Sequence, residues 1–191
     1  MLFTIAEQIR SRLNSRDRVA WEREIESLLE HRCNGFSFRQ ALSGGGESFI
    51  FEIKRTSPSS GGSVVSLDLA TTAKCFQNCG AAAISVLTEG DFFGGSLADL
   101  ADARRAVTLP LLRKDFIVDK IQIAEAKAFG ADAVLLIAAL LSDKQLEEFV
   151  EFASSLHIDA LVEIHDEREL MRAVAAGATI HAGSLNSSTA L

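Results

Sequence analysis

Apolar residues recur along this chain with two different spacings. Between residues 3 and 29 they return every three or four positions, which predicts two amphipathic helices, Phe3–Leu13 and Val19–Leu29. A third, short helix is predicted at Phe38–Leu42. After Ser48 short apolar runs predict strands at Phe49–Lys54, Ala82–Leu87, Leu109–Lys114, Ala133–Ile137, Ala160–Ile164 and Ala178–His181. Amphipathic stretches between them predict helices at Leu67–Asn78, Leu97–Val107, Lys120–Phe129, Asp143–Leu156 and Glu167–Ala176.

Alternating strands and helices with short connections predict an α/β fold with a parallel sheet. An open doubly wound sheet and a (β/α)8 TIM-barrel type both satisfy this pattern. Polar residues follow several strands, and only a barrel directs the C-terminal ends of all its strands toward one site. No G-x-G-x-x-G follows a strand, so the barrel is favoured. The predicted division is an N-terminal helical extension (1–47), an incomplete barrel with about six of eight strands (48–181) and a divergent tail (182–191).

The first predicted strand opens the segment FIFEIKRTSPSSGG. Alternation along a strand places Glu52 and Lys54 on one face, and both faces begin apolar, which predicts a strand covered on both sides. Lys114 and Glu163 lie on the same faces as Leu112 and Leu161. If these faces line the barrel, two lysines and two carboxylates meet in one pocket, where desolvation and neighbouring charges suit acid–base chemistry. The alternative is a solvated strand end.

The sequence is less specific at two loops, at His165 and at a pair of cysteines. The Ser/Gly-rich loop 56–62 offers amides and hydroxyls to a phosphate, although flexible loops share this composition. Phe92-Phe93-Gly94-Gly95 either stacks on an aromatic substrate ring or plugs the barrel mouth. His165 shares the Glu163 face without a visible nucleophilic partner. Cys75 and Cys79 are predicted to be small packed residues rather than a disulfide or metal clip.

Composition limits the classes of partner. The 191 residues, 48% of them hydrophobic, suffice for one domain with a sizeable core. The net charge of -7 speaks against nucleic acid as the main partner, and the longest apolar run, 133–141, is too short to span a membrane. The N-terminus lacks the layout of a signal peptide. We expect a cytoplasmic protein, in which any anionic substrate is held by local lysines and backbone amides.

Four segments together resemble the indole-3-glycerol phosphate synthase family. They are FIFEIKRTSPSSGG, ISVLTEGDFFGGS, LLRKDFIVDKIQIAEAKAFGADAVLLI and LVEIHDERELMRAVAAGA, in the family's order and spacing. The helical N-terminal extension also suits the family. The resemblance implies a lyase of tryptophan biosynthesis that needs no cofactor. Its reaction closes the indole ring of 1-(2-carboxyphenylamino)-1-deoxyribulose 5-phosphate, a phosphorylated anthranilate derivative, and releases carbon dioxide and water.

The resemblance also implies catalytic roles. Lys114 would be the general acid that protonates the substrate carbonyl, and Glu163 the general base that stabilises the cationic intermediate. Lys54 would contact the substrate carboxylate and assist dehydration, with Glu52 as its charge partner and possible base. Decarboxylation and dehydration need one proton donor and one acceptor held apart, together with positive charge for an anionic substrate.

Two substrate-binding residues follow from the same resemblance. Ser57 would bind the phosphate or carboxylate end of the substrate, and Phe93 would pack against the anthranilate ring. No metal site is expected, because the histidines lack the spacing of metal ligands.

The resemblance fails after about Ala178. The family continues into a segment like IGINNRDL, whose asparagine lies in the active site, whereas this chain reads TIHAGSLNSSTAL. Ser184 aligns there without a gap and Asn186 after a two-residue slip, so neither is assigned. We therefore expect a truncated or frameshifted end that lacks two strands and their phosphate contacts.

Three functions then compete. The first is an active synthase whose remaining part comes from elsewhere. The second is an inactive remnant that associates with itself through open barrel edges. The third is a non-catalytic binder of phosphorylated ligands.

Overall fold

The computed structural model describes residues 2–30, 35–44, 46–56 and 68–183. Within these ranges six strands form one sheet, β1 (Ile50–Ile53), β2 (Ala83–Leu87), β3 (Leu111–Lys114), β4 (Ala133–Ile137), β5 (Asp159–Glu163) and β6 (Ile180–Ala182). The helices are α1 (Leu2–Asn14), α2 (Arg18–Leu29), α3 (Phe38–Leu42), α4 (Leu69–Asn78), α5 (Leu97–Ala106), α6 (Lys120–Ala128), α7 (Asp143–Ser155) and α8 (Glu167–Ala175), with a 3-10 turn at Ala138–Leu140.

The six strands lie side by side in chain order, and every neighbouring pair is parallel. A doubly wound sheet reverses its strand order at a switch point, and this sheet does not. The predicted incomplete (β/α) barrel is therefore confirmed. Its register places Leu87 beside Lys114 and Ile137 beside Glu163, so these strand ends lie at the same edge.

Alternate residues of each strand enter two different hydrophobic layers. Ile84, Leu111 and Leu136 belong to the layer between the sheet and its helices. Leu112 and Leu161 belong to the layer inside the sheet. Because side chains alternate along a strand, Lys114 and Glu163 share the inner face with these leucines.

Strand β1 is less covered than its apolar sequence predicts. The later part of its outer face packs as expected, with Ile53 buried and the ring of Phe51 edge-on to Phe76 at 5.0 Å. Phe49 and Ile50, by contrast, are 58% and 38% exposed. Among the described residues β1 pairs with β2 alone, so its inner face has a neighbour on one side. The prediction of a strand covered on both sides is therefore wrong at its start, for Ile50 on the inner face and for Phe49, which precedes the strand on the outer face.

The N-terminal helices cover the sheet at several places. In α1, Ile5 and Ile9 are 1% exposed and pack into the inner layer, and Arg10 donates to the carbonyl of Leu140 in the loop after β4. In α2, Trp21 and Ile25 pack on α6. The extension is thus packed against the barrel, although the proposed three-way division of the chain stays a prediction.

Helix α3 lies at the N-terminal ends of the strands. Asp132, just before β4, accepts a hydrogen bond from the N–H of Phe36 at 2.8 Å. Asp159, the first residue of β5, accepts one from the N–H of Arg39 at 2.9 Å. These carboxylates hold the short helix in place, with Phe38 fully buried.

Three helices end in a Gly-Ala step before the next strand. Gly80, Gly130 and Gly177 have φ angles of 86°, 101° and 79°, in the left-handed region that glycine tolerates best. Strand β3 begins at Leu111, after Pro110, which has no N–H to donate to a sheet ladder.

The prediction that Cys75 and Cys79 are packed is wrong, because both are exposed. The buried stripe of α4 runs through Leu69 and Ala73, and the cysteines fall on the other side of the helix. A hydrogen bond between the two thiols raises the pKa of Cys79. Residues four apart on a helix have Cβ atoms about 5–6 Å apart, whereas a disulfide needs roughly 3.5–4.5 Å.

Candidate active site

A cavity of about 240 Å³ opens at the C-terminal ends of the strands. Five charged residues line it at or just after the ends of three strands, Glu52, Lys54, Lys114, Asp115 and Glu163. Its apolar wall is formed by Leu2, Leu87, Phe93, Phe116, Leu135 and Ile137. The structure thus brings five of the six predicted site residues to one cavity.

Glu52 is the meeting point of the two lysines. Its carboxylate accepts a hydrogen bond from Nζ of Lys114 at 2.8 Å, and Nζ of Lys54 lies 3.3 Å from its other oxygen. Burial alone would raise the pKa of Glu52. The hydrogen bond and charge of Lys114, and then those of Lys54, outweigh it and hold the pKa of Glu52 below its usual value. Two ammonium groups are therefore fixed at one side of the cavity.

Glu163 approaches the cavity from β5 and has a different partner. Its Oε1 lies 3.4 Å from Nε2 of His165, and Nδ1 of that ring lies 3.3 Å from the carboxylate of Glu169. The same carboxylate accepts a hydrogen bond from the backbone N–H of His165 at 2.8 Å. The sequence offered His165 no partner, although the spacing to Glu169, four residues later, was a usable signal.

The aromatic wall combines two loops. The rings of Phe93 and Phe116 lie 6.2 Å apart with their planes tilted by 30°. Phe93 lines the cavity and leaves it open, whereas one reading of the sequence had it plug the barrel mouth. A flat apolar substrate group would find a surface here.

A buried carboxylate that sequence analysis did not single out for this role holds the Phe93 loop in shape. Glu89 is 1% exposed and accepts hydrogen bonds from the N–H groups of Asp91 at 3.0 Å and Phe92 at 2.7 Å. A Cβ atom on Gly95 would lie 2.1 Å from the carbonyl oxygen of Leu87, so the chain passes β2 where only glycine fits.

Not every polar residue at a strand end reaches the cavity. Thr88, Glu89 and Arg113 follow or end a strand but do not line the cavity. Thr88 and Arg113 are 7% and 4% exposed and bond to each other and to Asp115. The reason is the alternation of side chains, which turns Arg113 away from the face that carries Lys114. Asp115 lines the cavity, but one of its carboxylate oxygens is held by Arg113 and Thr88.

Several expectations fall outside the described residues. Ser57, the predicted ligand of the substrate's phosphate or carboxylate, is one of them, as are Ser184 and Asn186. Among the residues that are described, no three His, Cys, Asp or Glu side chains group in a way that could hold a metal ion. No helix in the described ranges has both the length and the apolarity needed to cross a membrane.

A larger groove of about 480 Å³ lies on the outer surface between α4 and α5. Its cations include Arg55 and Arg105, which pair with Asp99 and Asp102. The groove lies on the helix side of the sheet, beside α4 and α5, and two of its cations are already paired. We therefore place the candidate site at the smaller cavity, where unlike charges converge beside an aromatic wall.

Comparison with known structures supports the fold. A crystal structure described as a glycerophosphoryl diester phosphodiesterase from Agrobacterium tumefaciens matches 72% of this chain and 53% of its own, with a TM-score of 0.53 and 14% identity. At that identity the likeness concerns the fold alone.

Sequence comparison gives the family. Relatives named indole-3-glycerol phosphate synthase come from Aquifex aeolicus (48% identical, 83% of this chain, 61% of the relative), Micrococcus luteus (45%, 94% and 69%) and a Nocardioides species (54%, 71% and 52%). The chain thus spans roughly half to two thirds of the length of these curated relatives. The family model for indole-3-glycerol phosphate synthase matches residues 2–183. The chain belongs to the indole-3-glycerol phosphate synthase family.

Proposed function

We propose that this chain carries the acid–base centre of an indole-3-glycerol phosphate synthase. The reaction is the closure of an indole ring on 1-(2-carboxyphenylamino)-1-deoxyribulose 5-phosphate, with loss of carbon dioxide and water. This makes the protein a carbon–carbon lyase that acts in the cytoplasm. One observation carries the proposal: two lysines and two carboxylates from three strands line the same cavity as the Phe93 and Phe116 rings.

The positions of the charges suit the proposed steps. Lys114, fixed by Glu52 on one side of the cavity, donates a proton to the substrate carbonyl as the aromatic carbon attacks. Glu163, on β5, takes up a proton and offsets the positive charge of the intermediate. Because Lys114 bonds to Glu52 rather than to Glu163, the donor and the acceptor stay apart.

Binding of the substrate draws on the remaining residues. Lys54, with a side chain 40% exposed, is open to the carboxylate of the anthranilate group and assists its loss and the later dehydration. Glu52 holds Lys54 and Lys114 in place and serves as a second base. Phe93 packs against the anthranilate ring, and Ser57 binds the phosphate or carboxylate end.

The test is a fluorescence assay for indole-3-glycerol phosphate with the purified chain and the anilino-deoxyribulose phosphate. Because the chain spans 61% of the Aquifex relative, a second arm uses a chimera that adds the part of that relative outside the match. We expect turnover in the chimera and its loss in a Lys114→Met chimera. A folded chimera without turnover would contradict the proposal.

A second proposal concerns association. In the described sheet β1 and β6 each pair with one strand, and Phe49 and Ile50 beside the β1 edge are exposed. An edge with unpaired amides and exposed apolar side chains is a template for another strand. We infer that copies of this chain associate through β1 and that association alone confers no activity. Light scattering after size exclusion tests this, and a monomer at high concentration would refute it.

A further inference from the structure

Lys114 depends on its neighbours for its position. Its side chain is 38% exposed, and its contact in the described residues is the carboxylate of Glu52. A long side chain with one partner has much conformational freedom. The position of its ammonium group therefore depends on where the backbone of β3 and the turn after it aim the Cα–Cβ bond.

Thr88, the residue after β2, contacts that backbone directly. Its N–H donates to the carbonyl oxygen of Lys114 at 3.1 Å. Its hydroxyl donates to Oδ2 of Asp115 at 2.7 Å and accepts from Nε of Arg113 at 3.1 Å. One residue thus bonds to Lys114 and to the side chains immediately before and after it.

The bonds of Thr88 continue into the turn that carries the aromatic wall. The other oxygen of Asp115 accepts a hydrogen bond from the N–H of Phe116 at 2.8 Å. Gln122 closes the turn, since its amide group bonds to the backbone of Phe116 and Val118. Thr88, Arg113 and Asp115 are all at least nine-tenths buried, so water competes little for these bonds.

We propose that Thr88 is a positioning residue for Lys114, acting through its hydroxyl on the turn that follows β3. The inference rests on the proposed role of Lys114 as the general acid. Thr88 itself lies in the wall behind the cavity rather than among the residues that line it. Its loss should therefore change the rate of proton transfer and leave substrate affinity largely intact.

The variants are Thr88→Val, which keeps the shape and removes the hydroxyl, and Thr88→Ser, which keeps the hydroxyl. A small misplacement of a reacting group can lower a rate by about 100-fold. We expect Thr88→Val to lower kcat in the chimera roughly 10- to 100-fold with KM within about twofold. Thr88→Ser should restore kcat to within about threefold of the parent.

Thr72→Val is the matched control. It removes a threonine hydroxyl that donates to the carbonyl of Asp68 at 2.8 Å on α4, away from the cavity. We expect its kcat to equal that of the parent. If Thr88→Val does not fold, Thr88→Cys replaces it, because a thiol is a weak donor of similar size, and a smaller fall in kcat is expected.

A second measurement does not need turnover. Urea unfolding of Thr88→Val, Glu52→Gln and the double variant forms a cycle between two residues that do not bond to each other. If Thr88 positions Lys114, the Glu52→Gln change should matter less in the Thr88→Val background. We expect a coupling of about threefold in the unfolding equilibrium constant.

A chimera without turnover would refute the proposed function and leave this cycle to decide the role of Thr88. Additive effects, or an unchanged kcat in Thr88→Val, would overturn the inference.

Discussion

Arg113 and Lys114 are adjacent on β3 and occupy opposite environments. Arg113 is 4% exposed and donates to Thr88, Asp115, Glu125 and the carbonyl of Gln122. Lys114 is 38% exposed on its side chain and bonds to a single carboxylate in the described residues. The outer face of the strand end is therefore saturated with hydrogen bonds, whereas the inner face keeps donor capacity for a ligand.

The same contrast extends to the carboxylates. Asp132 accepts hydrogen bonds from the N–H groups of Phe36 and Leu111 and from Arg104, so its oxygens are committed to holding the protein together. Burial raises the pKa of Asp132 in spite of these bonds. Glu52 and Glu163 are about a third exposed and face the cavity. The buried ion pairs of Arg113 and Asp132 thus hold the fold together, whereas the partly exposed groups line the cavity where we propose that the reaction takes place.

The largest expected effect is a loss of activity on substitution of Lys114, on the inner face of β3. Lys114→Met in the chimera should lower kcat roughly 10³- to 10⁴-fold, because the proposed proton donor is lost. Its free energy of unfolding should change by less than about 1 kcal/mol, since the pair with Glu52 is partly exposed. Lys120→Met is the control, as it removes a lysine that is also partly exposed, 48% against 38%, and that pairs with Glu148 on the helix layer. Equal activity of the two variants would contradict the assignment of Lys114.

The next effect is on stability and belongs to the outer face. Arg113→Met leaves the carboxylates of Asp115 and Glu125 buried without their main cation. Removing one partner of a buried ion pair costs about 3–4 kcal/mol of unfolding free energy. Urea denaturation measures this loss. Arg105→Met, which removes a side chain 73% exposed, should cost less than about 0.5 kcal/mol. A loss in Arg113→Met no greater than in Arg105→Met would refute the comparison.

Sequence patterns predicted the barrel because the apolar periodicity that distinguishes strands from helices is a local property of the chain. They also predicted that Lys114 and Glu163 face inward. Residues two apart on a strand share a face, and Leu112 and Leu161 are apolar residues of the inner face. They did not predict that Arg113 is fully paired, since its partners Glu125 and Thr88 come from a different helix and a different strand. Nor did they predict the exposure of Ile50, which depends on what lies beside β1.

The anchor of the N-terminal segment gives a smaller effect. A Cβ atom on Gly35 would lie 1.9 Å from Oδ1 of Asp132, the atom that accepts the N–H of Phe36. Gly35→Ala should therefore cost about 1–3 kcal/mol of unfolding free energy by overpacking. Gly44→Ala is the matched control, because nothing lies within 4 Å of a Cβ there. If both variants have the same melting temperature, the close approach of Gly35 to Asp132 does not exclude a larger side chain at this position.

The smallest effect concerns Glu52 and tests whether the inner pair contributes to stability at all. The pKa of Glu52 in the folded protein lies below its ordinary value of 4.5, so its ionised form is favoured by folding. A group with a lowered pKa stabilises the protein above its unfolded pKa, and this contribution is lost as the pH falls through the folded pKa. The free energy of unfolding should therefore fall less steeply below pH 4.5 in Glu52→Gln than in the parent. The difference at pH 7 should be about 0.5–1 kcal/mol, because solvent screens a pair that is one third exposed. If the two proteins lose stability equally below pH 4.5, the pair of Lys114 and Glu52 does not stabilise the fold. Stability would then come from the outer face of the sheet alone, and the inner face would contribute only to the proposed reaction.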